Sequence, residues 1–188
     1  MLKYVIYNDS SLENSNIISF LKQNDQELLS FFNINSNLTI NIIIERLPIF
    51  IKNYQNNLNQ DWNKYETGYI DDETNTIHIL SYNDFYNTYH KNISEEDYLK
   101  IILHELVHLI NSIYCHKNYP PDYLWEGIAC FLSKQYPMDA KYLNNYEDII
   151  NNKADYQSYF ALVRDYLKKN KKEVVLEYLK NEGERRLK

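Results

Sequence analysis

Apolar positions follow two different periods along this chain. Residues 3–7, Lys-Tyr-Val-Ile-Tyr, are β-branched and aromatic and end in the turn-forming cluster Asn8-Asp9-Ser10-Ser11, which predicts a short strand. Ile17, Ile18, Leu21, Leu28, Leu29 and Phe32 then recur at helical spacing and predict a first helix. The run Leu38-Thr39-Ile40-Asn41-Ile42-Ile43-Ile44 is strongly β-forming, and Pro48 suits the first turn of a second helix entered near Leu47 and lost near Asn59. Gly68-Tyr69-Ile70 and Thr76-Ile77-His78-Ile79-Leu80 flank the acidic turn from Asp71 to Asn75, the pattern of a hairpin.

After about residue 90 the helical period takes over. Ser94 with Asp97 resembles a capping box with Asp in place of Glu, and Glu95, Glu96 and Asp97 complement the dipole of the helix they begin. Leu99 and Ile101-Ile102-Leu103 carry that helix to about Ser112. Pro120-Pro121-Asp122 resets the chain, and Tyr123, Leu124, Ile128, Phe131 and Leu132 predict a helix that Pro137 stops. Tyr156, Tyr159, Phe160, Val163, Tyr166 and Leu167 form one stripe of a helix from about Ala154 to Lys169, and a last short helix covers Glu173 to Lys180. With no internal repeat and no dividing linker, the expectation is one α+β domain over residues 1–188, sheet-rich to about 90 and mainly helical from about 91.

Composition narrows the function classes. Of 188 residues 44% are hydrophobic and 24% charged, enough apolar matter for a core, and 3 Gly and 4 Pro exclude collagen-like and low-complexity chains. The net charge is −6. The one basic cluster, Lys168, Lys169, Lys171 and Lys172, runs into Glu173 and Glu177 and reads as a solvated helix end, so neither nucleic acid nor a membrane surface is expected as a partner. Cys115 and Cys130 lack Cys-x-x-Cys spacing and read as two free buried thiols. No apolar run has signal-peptide or membrane-spanning length. A cytoplasmic location is expected, although a mature secreted chain shares these features.

The chemistry lies in Ile102-Leu103-His104-Glu105-Leu106-Val107-His108-Leu109-Ile110, a His-Glu-x-x-His pattern on a predicted helix. Residues i and i+4 lie about 40° apart around a helix and one turn along it, so both imidazoles can reach one ion at about 2.0–2.1 Å. Glu105 faces the same cleft, where a carboxylate can take a proton from water as general base. Two unpaired imidazoles on so apolar a helix cost free energy unless hydrogen-bonded or metallated. A catalytic zinc site needs a third protein ligand. Glu126, in Tyr123-Leu124-Trp125-Glu126-Gly127-Ile128-Ala129-Cys130, lies 18 residues after His108 on the next predicted helix and can supply it.

These two motifs resemble the gluzincins, metallopeptidases in which a His-Glu-x-x-His helix is followed by a helix carrying a Glu ligand, here Trp125-Glu126-Gly127-Ile128-Ala129. The resemblance spans roughly residues 68–179 and implies one Zn2+ held by His104, His108 and Glu126, Glu105 as general base, and a peptide or protein substrate. It implies also that the Thr76 to Ser81 strand is an edge strand over the metal helix, holding extended peptide by main-chain pairing. Cys130 stands where thermolysin-like members carry an acidic partner of the first histidine, which points to the aminopeptidase-like or stand-alone branch. His104's orienting group then remains open among Asp155, Asp122 and a backbone carbonyl.

In the aminopeptidase-like members a tyrosine on a later helix donates to the developing oxyanion, which places Tyr156 first and Tyr159 second. His78, alternating with Ile77 and Ile79, reads as solvated or substrate-facing; it and His90 stay outside the site. The function implied is a zinc-dependent peptide-bond hydrolase working through activated water; a narrow form of it that cuts a single cellular protein is a further reading. Its rival is a zinc-binding domain that recognises a peptide or partner without cutting it.

Overall fold

A computed structural model describes residues 1–185 of the chain. Four strands, β1 (Leu2–Asn8), β2 (Leu38–Glu45), β3 (Gly68–Asp71) and β4 (Thr76–Leu80), form one sheet in the order β1-β2-β4-β3. β1 and β2 run parallel from Leu2 opposite Leu38 to Asn8 opposite Ile44, and β2 and β4 run parallel from Asn41 opposite Thr76 to Glu45 opposite Leu80. Parallel neighbours need crossovers, and helices α1 (Asn14–Phe31) and α2 (Leu47–Leu58) occupy them. The hairpin pairs β3 antiparallel to β4, with Gly68 opposite Ile79 and Asp71 opposite Thr76.

The strand order corrects one expectation. Thr76–Leu80 is not an edge strand: it is paired on both sides and buried at all five positions. The edge strand beside the helix that carries His104 and His108 is β3. His78 is likewise neither solvated nor substrate-facing. Its Nδ1 lies 3.3 Å from Glu45 Oε2, Tyr69 stacks on its ring at 4.5 Å, and Asn53 donates to the other Glu45 oxygen at 2.5 Å. A polar residue in a central strand is tolerated when its partners are built in, and Glu45 of the neighbouring strand and Asn53 of α2 supply them.

The second half is helical: α3 (Glu95–Tyr114), α4 (Asp122–Leu132), the short α5 (Tyr146–Ile150), α6 (Tyr156–Lys169) and α7 (Lys172–Arg185). The α+β expectation, a small N-terminal sheet followed by a mainly helical half, holds. α3 is capped as its sequence requires, with Ser94 Oγ accepting from the Asp97 N–H at 3.1 Å. It packs against α1, α4, β3 and β4, and every side chain from Ile102 to Ser112 is buried, so it serves as the central helix of the core. α4 lies between α3 and α6. A Cβ at Gly127 would stand 2.7 Å from both the Tyr159 carbonyl oxygen and Val163 Cγ2, so only glycine lets α4 sit this close to α6.

α4 ends at Leu132, earlier than Pro137 requires. Lys134 takes a left-handed φ of 58°, its N–H bonds the Phe131 carbonyl, and the Gln135 N–H bonds the Cys130 carbonyl at 3.2 Å, a Schellman closure made without glycine. Among the described residues no helix is long and apolar enough to cross a membrane.

Candidate metal centre and cleft

The i, i+4 spacing on α3 sets the His104 and His108 rings 4.5 Å apart and nearly perpendicular, each about 95% buried. α4 brings Glu126 across from them. One carboxylate oxygen, Oε2, lies 3.1 Å from His104 Nε2 and 3.4 Å from His108 Nε2, and the three donor atoms all fall within 4.8 Å of one another. A tetrahedral ion with bonds of about 2.0–2.1 Å has ligand–ligand edges of about 3.3–3.4 Å. The His–Glu separations fit such edges, and two imidazole nitrogens with one carboxylate oxygen form a donor set suited to zinc.

Charge at the cluster follows from burial and proximity. Burial resists ionisation of Glu126, but the two imidazoles outweigh it and hold this carboxyl far below the usual range. Burial also opposes a proton on His104, yet Cys130 and Glu126 together raise it well above an ordinary histidine. His108 is lowered, since its burial exceeds the pull of Glu126 and His104 adds repulsion. In the metal-free cluster Glu126 is thus driven toward its anion, His104 toward its protonated form and His108 toward its neutral form.

Each ring is fixed differently. Cys130 Sγ lies 3.9 Å from His104 Nδ1, whereas Asp155, one of the orienting groups considered for His104, caps α6 by accepting the Ser158 N–H at 3.0 Å. The buried His108 Nδ1 has no hydrogen-bond partner among the described residues. Its ring instead stacks on Trp125 at 4.6 Å, and Trp125 meets Tyr119 edge-on at 5.1 Å. Tyr119 donates to Asp72 in the hairpin turn, which also accepts from Ser112 of α3 at 2.6 Å and pairs with Lys117 at 3.5 Å. Asp72 therefore ties the hairpin, the end of α3 and the aromatic wall into one unit.

Glu105 lies beside the cluster, 9% exposed. Burial, with repulsion from Glu126 and Glu66 and against the attraction of His104, pushes its carboxyl up to about 7, where a general base works best. Its position depends on Gly68 of β3: a Cβ there would stand 2.7 Å from Glu105 Cγ and 2.8 Å from Oε1. No glycine among the described residues has a positive φ, so Gly68 is required for space and not for backbone conformation. Gly68→Ala is expected to displace the Glu105 side chain, with a Tm change of only a few degrees because a flexible side chain yields. A structure of the variant beside a melting curve checks this, and a loss of folding with Glu105 unmoved would contradict it.

These groups line a cleft of about 710 Å³, with residues 68–70 of β3 along one wall and Trp125, Tyr136 and Tyr156 along another. Tyr156, at the start of α6, is 47% exposed, and its ring lies parallel to that of His104 at 6.2 Å. Tyr159 is 3% exposed and turned into the core. His90, an exposed residue, also lines the cleft, with Nε2 3.2 Å from the Tyr65 carbonyl oxygen.

Sequence reasoning assigned no role to Gly68 or Trp125, and it marked Cys130 as standing at the position of the first histidine's partner without giving the thiol that part. Gly68 carried a weak signal, being one of three glycines in the chain and placed at a strand start; Trp125 looks like an ordinary apolar residue of α4. Comparison with protein-family models, with curated proteins and with solved structures returned no match to this chain.

Proposed function

We propose that this chain is a zinc-dependent peptide-bond hydrolase of the gluzincin type, acting in the cytoplasm on a peptide or protein substrate. The observation that carries the reading is the convergence of His104, His108 and Glu126 at a cleft with the buried Glu105 beside them. His104, His108 and Glu126 would hold the ion. When bound, zinc polarises a carbonyl as a Lewis acid and lowers the pKa of water toward about 7. Glu105, with a carboxyl near 7 before the ion binds, takes a proton from the attacking water and returns it to the leaving amine.

Tyr156 is the oxyanion donor in this reading. Partial burial and the carboxylates of Glu126, Glu66 and Glu105 raise its phenol above the ordinary value, which keeps the O–H available to donate to an oxygen that gains charge. β3, with one edge unpaired in the sheet, offers its main chain to an extended substrate. The free, buried thiols Cys115 and Cys130 accord with a reducing compartment.

The zinc-loaded chain, incubated with a mixed peptide library and followed by mass spectrometry, is expected to yield products that vanish on chelation and return with added zinc. A zinc-loaded chain that retains peptides uncut supports the partner-recognition alternative. Absence of zinc uptake at neutral pH removes both.

A further inference from the structure

We infer that Cys130 is the positioning residue of His104, a neutral thiol that accepts the Nδ1 proton and so commits Nε2 to the Glu126 side. The inference rests on the metal-site reading above and concerns how that site is built. Cys130 is wholly buried on α4, one turn beyond Glu126, and its Sγ is 3.9 Å from Nδ1. The same α4 segment thus carries both the group that meets His104 Nε2, at 3.1 Å, and the group that meets its other nitrogen. An imidazole held at both nitrogens has its ring plane set before a ligand arrives.

His108 shows what the contact supplies, because its Nδ1 lacks a partner among the described residues and its ring is held by stacking on Trp125. A thiol is a weak acceptor, so it orients the ring without adding charge. That matters here because Glu105, buried, and Glu126, with its side chain 15% exposed, already place two carboxylates in one poorly solvated space. A third at position 130 would be costly to desolvate and would repel both.

The test uses the full chain as wild type, Cys130→Ala and Cys130→Ser, with 15N-labelled histidine. Two quantities are read: the ring-nitrogen resonances of His104 and His108 in metal-free and zinc-loaded protein, and the zinc Kd by competition with a chromogenic chelator. Removing a ligand's hydrogen-bond partner costs about 10- to 100-fold in metal affinity, and Cys130→Ala is expected to fall in that range. The His104 nitrogens should move while those of His108 stay. Cys130→Ser, whose hydroxyl still accepts, should recover part of both effects, and it carries the comparison if the alanine variant does not fold. Unmoved His104 resonances with wild-type zinc affinity in the variants would overturn the assignment. Should the wild type take up no zinc, the hydrolase reading fails, and the His104 resonances of the metal-free proteins still decide the role of Cys130.

Discussion

Glu105→Gln is expected to bind zinc as the wild type does and to lose peptide hydrolysis by at least about 10²- to 10⁴-fold, the usual contribution of a general base. Glutamine keeps the shape that fits against Gly68 and leaves His104, His108 and Glu126 in place, but it cannot take a proton. Elemental analysis for zinc beside turnover of the library's best substrate separates the two properties; full activity in the variant would remove Glu105 from the mechanism.

The same substitution has a stability signature in metal-free protein. The folded-state pKa of Glu105 is raised, to about 7, so the native state binds more protons than the unfolded chain between that value and the ordinary carboxylate pKa. Its contribution to stability is therefore fully present below about pH 4 and declines as pH rises to about 7. The wild type should lose stability relative to Glu105→Gln across that interval, by an amount on the order of 3 kcal/mol. Denaturant melts of both proteins at pH 4.5, 6 and 8 check the sign, and a gap that narrows with rising pH would contradict it.

Glu126→Ala is expected to weaken zinc binding beyond the roughly 10- to 100-fold that loss of a ligand's supporting partner costs, because it deletes a donor atom outright. The metal-free protein should also be less stable at neutral pH, since buried His104 loses the carboxylate that favours its protonated form. Breaking a buried ion pair costs about 3–5 kcal/mol, reduced here because His104 can shed its proton. The folded pKa of Glu126 is depressed, so its contribution is present above the ordinary carboxylate range and lost as pH falls through the folded value. The difference between wild type and variant should accordingly shrink in acid. Chelator competition and melts at pH 7 and pH 3 read both effects; undiminished zinc affinity would exclude Glu126 as a ligand.

Much of the site was readable residue by residue. The Ser94 cap, the acidic first turn of α3 and the apolar run around His104 and His108 are local signals, and an i, i+4 pair shares a helix face wherever the helix is placed. Glu126 was readable as a candidate ligand because the Pro120-Pro121 break lets a second helix return toward the first. The choice between Tyr156 and Tyr159 was not, since both belong to one tyrosine stripe. Only the packing of α6 on α4, with Gly127 allowing the close approach to Tyr159, turns one ring toward the cleft and the other into the core.

The sequence by itself determined the α+β class, the hairpin, the capped central helix and the order of the candidate ligands along the chain, because propensity, periodicity and capping act over a few residues. Tertiary structure alone decided that β4 lies inside the sheet with β3 at its edge, that His78 is buried against Glu45, that Gly68 makes room for Glu105 and that Cys130 meets His104. Each of these joins residues far apart in the chain, from 26 between Cys130 and His104 to 37 between Gly68 and Glu105. A hydrophobic pattern states which face of an element is buried, but not which neighbour it is buried against.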